Sequence, residues 1–140
     1  MENTEILTPV MVLVGWTLFI LIWLYAKRIP AMSKAKIKPD DSLNQDLSTA
    51  LPLSARQVAA NYNHLMEQPT IFYAAAIAIA LMGHVDQTAI YAAWAYVILR
   101  ILHSLVQCIY HKVMHRWTLF MLSSLALGVL VVNELMKLFG

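Results

Sequence analysis

Four long apolar stretches alternate with shorter polar connections along the chain. The first runs from about residue 6 to 26, and the third and fourth cover about 88–111 and 116–138. About 20 residues in an α-helix suffice to cross the hydrocarbon core of a membrane, at a rise of about 1.5 Å per residue. The pattern therefore predicts a membrane-spanning helix in each of these segments.

The second predicted helix covers about 54–82, and its first half is polar. Ser54 and Gln57 have the spacing of a capping box, in which each side chain accepts a hydrogen bond from the other residue's backbone N–H. Pro69 is expected to kink the helix, and Gly83 can adopt the left-handed conformation that ends one. Because a short polar turn follows, the second and third helices should be antiparallel neighbours.

The connection at about 27–53 is rich in charged residues and proline, so it is predicted to be a solvated loop. Elsewhere charge is scarce, since 60% of the residues are hydrophobic and only 13% are charged, whereas soluble domains carry about 25% charged residues. The sequence thus predicts an all-α integral membrane protein, with residues 1–140 forming a single four-transmembrane-helix bundle.

The distribution of lysine and arginine predicts the orientation in the membrane. Most of these residues lie in or beside the first loop, Lys112 and Arg116 lie on the third connection, and the second connection has none. By the positive-inside rule the first and third connections are cytoplasmic, and both termini lie on the non-cytoplasmic side of an inner (plasma) membrane. The net charge of +2 is too small to indicate nucleic-acid binding.

Arg100 lies inside the third apolar stretch. An ionisable group there costs about 2.5 to 3.5 kcal/mol on insertion scales, so it normally faces a partner or a wet cavity. Glu67 on the second helix is the leading candidate for that partner. The polar stripe of the second helix contains Asn61, His64, Glu67 and Gln68, and that of the third contains Arg100, His103, Gln107 and Tyr110 or His111.

If these two stripes meet, they form a polar cleft that opens to the cytoplasm and suits an anionic, water-soluble ligand. Buried polar pairs also serve simply to hold helices together in lipid, and the pattern leaves both interpretations open. His111 and His115 share a helical face, but no third ligand is indicated and no metal site is predicted. Cys108, the single cysteine, is interpreted as a packing residue because no acid–base pair is evident beside it.

Two motifs resemble those of the MAPEG family, the membrane-associated proteins in eicosanoid and glutathione metabolism. They are Asn61-Tyr-Asn-His-Leu-Met-Glu-Gln-Pro69 in the second helix and Trp94-Ala-Tyr-Val-Ile-Leu-Arg-Ile-Leu-His-Ser104 in the third. Chain length, the four spans and the long first loop also agree. The resemblance therefore covers essentially the whole chain.

This resemblance implies a homotrimer of four-helix bundles that binds glutathione, or a similar thiol, between subunits near the cytoplasmic face. The implied activity is that of a transferase or peroxidase whose lipophilic substrate arrives from the membrane lipid. Arg116 matches the arginine that stabilises the thiolate and is the implied catalytic residue. The residues implied in binding glutathione are Glu67, His64, Asn63, Arg100, His103 and Arg28.

Two other functions stay open. The chain departs from the family's usual residues at Asn63, His64, Gln107 and Phe120, which favours a non-enzymatic, lipid-binding or accessory member of the same family. Retention of Glu67, Arg100 and Arg116 opposes that interpretation. A small four-helix drug transporter is the second alternative, but such exporters carry a membrane-embedded carboxylate in the first helix, and the first span here has none.

Overall fold

The computed structural model describes residues 4–36, 51–110 and 112–140, and within these ranges the chain is helical apart from short connections. Its helices are α1 (Leu7–Lys34), α2 (Leu53–Glu67), α3 (Pro69–Met82), α4 (Gln87–Leu105), which continues into a π-helical segment (Val106–Tyr110), and α5 (Val113–Phe139). The four segments long and apolar enough to cross a membrane are Leu7–Lys34, Leu53–Met82, Gln87–Ile109 and Val113–Phe139. The predicted class, an all-α membrane protein with four spans, is confirmed.

α1 continues well beyond the apolar stretch that predicted it. The helix passes through Lys27, Arg28 and Pro30 and ends at Lys34, so the prediction that residues 27–34 belong to a loop is wrong. Loss of apolar character marks the edge of the lipid and does not end a helix, because long basic side chains reach from a helix into the interfacial region. Residues 37–50 of the predicted loop lie outside the described residues.

Pro69 interrupts the second span, as its sequence position predicted. α2 ends at Glu67 and α3 begins at Pro69, with Gln68 between them at φ −63° and ψ −39°. Proline has no N–H to donate, and its ring crowds the preceding turn. The backbone hydrogen bonds of the helix are therefore interrupted while its direction is broadly kept.

The second span begins within one residue of its predicted start, but the predicted capping box does not form. α2 begins at Leu53, its N-cap residue is Pro52, and no side chain caps it. Ser54 and Gln57 therefore lie inside the helix and form no capping box. The Gln57 side chain instead contacts the π-helical segment and α5.

The turn between α3 and α4 has the predicted form. Gly83 adopts the left-handed conformation at φ 73° and ψ 25°. Asp86 then caps α4, because its carboxylate accepts a 2.8 Å hydrogen bond from the Ala89 N–H. α3 and α4 contact each other below this turn, where the Phe72 and Tyr96 rings stack at 4.7 Å.

The core of the bundle lies between two closely packed helix pairs, α1 with α2 and α4 with α5. Fully buried apolar side chains include Leu13, Ile20, Val58, Phe72 and Leu130. Part-buried polar contacts centred on Gln68 link the helices, since its amide donates to the Ser124 hydroxyl at 2.9 Å and its Oε1 accepts from the Tyr96 hydroxyl at 3.4 Å. Other large apolar side chains are exposed on the outer surface, where lipid tails replace water.

A group of charged and polar side chains joins the α3–α4 turn to the last turns of α5. His84 Nδ1 lies 2.6 Å from Glu134 Oε1, and Lys137 Nζ lies 2.6 Å from Asp86 Oδ2. The Asn133 amide also donates to Asp86. We call these five residues the hairpin cluster; it fastens one end of α5 to the turn, and the sequence did not predict it.

Candidate functional site

Residues from α2, α4 and α5 line a cavity of about 160 Å³, which we call the Arg116 cavity. It lies at the end of the bundle opposite the hairpin cluster. Its lining consists of His64, His103, Val113, Arg116, Trp117 and Phe120. Three of the residues that the sequence singled out, His64, His103 and Arg116, therefore meet here. They come from three different helices, so only the tertiary fold brings them together.

The two histidines and Phe120 form one wall of the Arg116 cavity. The ring centroids of His64 and His103 are 6.0 Å apart, and those of His103 and Phe120 are 6.2 Å apart. His103 is buried, and its Nδ1 has no hydrogen-bond partner among the described residues. A ring nitrogen without a partner beside a cavity is suited to hydrogen-bond a ligand.

Arg116 lies in the first turn of α5 and is half-buried. The N-cap residue of this helix, Lys112, makes no side-chain cap. The amino end of a helix carries partial positive charge, which normally favours acidic residues. An arginine here adds to that potential, so this corner of the cavity is suited to an anion.

Arg100 lies behind Phe120 and does not line the Arg116 cavity. Its guanidinium carbon is 6.0 Å from the centre of the Phe120 ring, within the range of a cation–π contact. The side chain is fully buried, and none of its nitrogens has a hydrogen-bond partner among the described residues. This is the most incompletely satisfied polar group in the described part of the chain.

The predicted pair of Glu67 and Arg100 is absent from the subunit. Glu67 is exposed on the outer face of α2, whereas Arg100 points into the interior from α4. Among the described residues Glu67 makes no ion pair with Arg100. The prediction was wrong because helical spacing places Glu67 near the stripe that contains His64 but does not determine which part of the stripe faces inward.

Arg28 and Asn63 line a second cavity of about 190 Å³, which we call the Arg28 cavity. It lies between α1 and α2. Arg56 lines it as well. The residues that the resemblance implies in binding glutathione are therefore divided between two faces of the chain. Asn63 and His64 are consecutive residues and so point about 100° apart around the helix axis.

Gln57 and Gln107 belong to the surroundings of Arg116, and the sequence analysis missed this contact. Gln57 Oε1 accepts from Arg116 Nη1 at 3.4 Å and from Gln107 Nε2 at 3.5 Å. One signal was available, because Gln57 precedes His64 by seven residues and so shares its helical face. No such signal indicated that the helix containing Gln107 becomes π-helical.

An apolar groove of about 520 Å³ follows α5 away from the Arg116 cavity. Its lining includes Thr88, Ser124, Gly128, Val132 and Met136. Ser124 lies one turn beyond Phe120, so the groove and the cavity occupy the same side of α5. A long apolar molecule lying in this groove could place one end near the cavity.

Taken alone, the Arg116 cavity is smaller than the roughly 300 to 1,000 Å³ of typical ligand sites. It would enclose only part of a peptide-sized ligand. In the part of the chain that the structure describes, no group of three His, Cys, Asp or Glu side chains could hold a metal ion. His111, considered with His115 as a metal ligand, lies outside that part.

Comparison with known protein families gives one match, in which residues 6–136 fit the profile of the MAPEG family. No curated protein and no solved structure matches the chain.

Proposed function

Because the chain belongs to the MAPEG family, we propose that it is a membrane-embedded, glutathione-dependent transferase or peroxidase that acts on lipophilic electrophiles. The observation that carries this proposal is the meeting of Arg116, His64 and His103 in one cavity at the amino end of α5. This arrangement provides concentrated positive potential and hydrogen-bonding groups at the boundary between a polar end and an apolar groove.

When bound, glutathione supplies a thiol whose deprotonated form is a nucleophile. A free thiol has a pKa of about 8.5, and a neighbouring cation or helix amino end lowers that pKa. Arg116 and the uncapped first turn of α5 provide both effects. Arg116 is therefore the proposed catalytic residue, and His103 the proposed hydrogen-bonding group beside it.

The remaining charges of glutathione would be balanced by donors that have no hydrogen-bond partner among the described residues. Arg100 is the main one; because it lies behind Phe120, it would contribute positive potential to the site from outside the cavity lining. Because one Arg116 cavity would enclose only part of the tripeptide, a second subunit would complete the site with its Arg28 cavity. This division of the site supports the proposed homotrimer.

The exposed position of Glu67 gives independent support to assembly. A carboxylate on the outer face of a membrane-spanning segment is costly in contact with lipid. Coverage by another subunit would remove it from lipid and bring it to the intersubunit site. In this arrangement Glu67, Asn63 and Arg28 would act from the neighbouring chain.

The lipophilic substrate would lie in the apolar groove of α5 and present its electrophilic end to the Arg116 cavity. The groove is open along the side of the helix, so entry from lipid would not require the helices to separate. Orientation by the positive-inside rule would put the cavity at the cytoplasmic side of an inner (plasma) membrane, where a cytosolic thiol can reach it.

Glutathione titration of the purified protein at neutral pH tests this function. The thiolate absorbs in the ultraviolet, and we expect a signal in the wild type that Arg116→Ala abolishes and Arg116→Lys partly keeps. A conjugation assay with a lipophilic electrophile should follow the same order. Unchanged signal in Arg116→Ala would exclude Arg116 as the source of activation, and no signal in the wild type would exclude the enzyme.

The apolar groove also favours a second function, lipid binding without thiol chemistry. The groove is more than three times the volume of the Arg116 cavity, at about 520 against 160 Å³. A non-enzymatic member of the family would keep the groove and bind lipid regardless of thiol. Lipid retained through purification by a protein that gives no thiolate signal would support this alternative.

A further inference from the structure

We infer that Gln57 is a positioning residue that holds the Arg116 guanidinium at its cavity, with Gln107 orienting the Gln57 amide. The inference rests on the proposed function, because it concerns how the positive charge is delivered to a bound thiol. Gln57 itself does not line the Arg116 cavity. It would act through Arg116 alone.

The geometry of the contacts gives Gln57 this role. A single oxygen, Gln57 Oε1, accepts from Arg116 Nη1 at 3.4 Å and from Gln107 Nε2 at 3.5 Å. Both distances are longer than the usual range of about 2.7 to 3.2 Å for an N–H···O hydrogen bond, and the two donors share one acceptor. The Gln107 side chain is only 1% exposed. Packing therefore fixes the amide group that donates to Gln57 Oε1.

The π-helical segment explains how Gln107 reaches α2. Residues 106–110 leave the α-helical pattern immediately after Leu105, and a π-helical turn shifts the direction of the side chains that follow it. Such turns occur often at functional sites. Here the widened turn packs against α2 and places the Gln107 amide against Gln57.

The chemical nature of Gln57 is as important as its position. A carboxylate at this place would hold the guanidinium equally well, but its negative charge would cancel much of the potential that an anion in the cavity experiences. An amide oxygen is a neutral acceptor. It fixes the orientation of Arg116 and leaves the whole positive charge available to the thiol.

This difference leads to a test with two variants at one position. Gln57→Leu removes the acceptor, and Gln57→Glu keeps the acceptor but adds a negative charge. The full-length protein in detergent is titrated with pH in the presence of glutathione, and the thiolate absorbance gives the apparent pKa of the bound thiol. S-methylglutathione, which has no ionisable thiol, reports binding alone.

We expect both variants to bind S-methylglutathione within about threefold of the wild type. The apparent pKa of the bound thiol should rise by about one unit in Gln57→Leu and at least as far in Gln57→Glu, which lowers the thiolate fraction about tenfold at a pH below both pKa values. Gln107→Leu should change the thiolate fraction in the same direction by less. Gln87→Leu, an exposed glutamine at the opposite end of α4, should leave every value unchanged.

The outcomes separate this inference from the proposed function. A wild-type thiolate signal with an unchanged titration in both Gln57 variants would overturn the role of Gln57 and leave the proposed function intact. A loss of thiolate in Gln57→Leu with a wild-type titration in Gln57→Glu would support the positioning role and overturn only the argument for a neutral acceptor. Absence of a thiolate signal in the wild type would overturn both the inference and the proposed function. If Gln57→Leu does not fold, Gln57→Met, which removes the acceptor and keeps the length of the side chain, tests the positioning role in its place.

Discussion

At the scale of single residues, the described site is defined by buried polar groups that have no hydrogen-bond partner among the described residues. Arg100 is fully buried without a hydrogen-bond partner among the described residues, and His103 Nδ1 lacks one as well. Helical spacing was enough to predict that His64 and His103 belong to polar stripes. It could not predict that Glu67 faces outward, because spacing relates residues of one helix to each other and not to the bundle axis.

Replacing Arg100 with methionine should have opposite effects on folding and binding. An uncompensated buried charge is costly, and exchanging buried charged groups for apolar ones of similar volume is often neutral or stabilising by about 1 to 4 kcal/mol. We therefore expect Arg100→Met to unfold in detergent at the same temperature as the wild type or a higher one, and to bind glutathione at least tenfold more weakly. Thermal unfolding with and without ligand measures both effects.

A loss of about 3 to 5 kcal/mol in ligand-free Arg100→Met would contradict this expectation, because it would indicate a protein partner for Arg100. Combining the change with Glu67→Leu then identifies that partner. Recovery of part of the loss in the double variant would place Glu67 of a neighbouring subunit against Arg100.

At the scale of helices and turns, the sequence was enough to predict that each helix exists. It predicted the first and last residues of the helices only in part. Apolar length indicates a span, and Pro69 and Gly83 act through their own backbone restrictions, so both gave correct predictions. The end of α1 and the capping box of α2 were predicted wrongly, because charges and a Ser-x-x-Gln spacing fit a helix interior as well as its boundary. Nothing local in the sequence indicates the π-helical segment.

Asp86 should make the stability of the hairpin depend on pH. The hydrogen bond from the Lys137 ammonium, together with those from the Ala89 N–H and the Asn133 amide, lowers the pKa of the Asp86 carboxyl below its ordinary value despite slight burial. Its pKa is therefore lower in the folded than in the unfolded protein. The stabilisation is present above the unfolded pKa, about 3.9, and is lost as the pH falls through the folded value.

We expect Asp86→Ala to destabilise the protein by about 1 kcal/mol at neutral pH, as typical for loss of an N-cap, and by less once the pH falls below the folded pKa of Asp86. Unfolding in detergent at several pH values measures the difference. Asp86→Asn is the matched control, since it keeps a capping oxygen without the charge. A difference between Asp86→Ala and wild type that is constant with pH would exclude the Lys137 contact as its source.

At the scale of the whole molecule, the number and order of the four spans could be derived from the sequence, whereas the division of the site could not. The resemblance implied one site, and the structure places its residues in two cavities on different faces. In the proposed homotrimer, whether the two cavities meet depends on packing between subunits. That packing is set by surface shape, which no pattern along a single helix describes.

The predicted orientation can be tested with single cysteines in a Cys108→Ala background. Lys34→Cys lies at the end of α1 and Gln87→Cys at the start of α4, and both positions are exposed. Because basic residues concentrate near the first of these ends, an impermeant maleimide should label Gln87→Cys in intact cells and Lys34→Cys only after permeabilisation. The reverse pattern would place the Arg116 cavity on the outer side.

The two ends of α5 are held by forces of different kinds. The hairpin cluster contains the Lys137–Asp86 ion pair and the His84–Glu134 contact, each at 2.6 Å, whereas Arg116 at the other end is held by a neutral amide at 3.4 Å. Dissolved salt screens exposed charges, with a Debye length of about 10 Å at 0.1 M, and has much less effect on contacts to an amide. A rise in salt concentration on the hairpin side of the membrane would therefore loosen that end of α5. The end that carries Arg116 would be largely insensitive to salt.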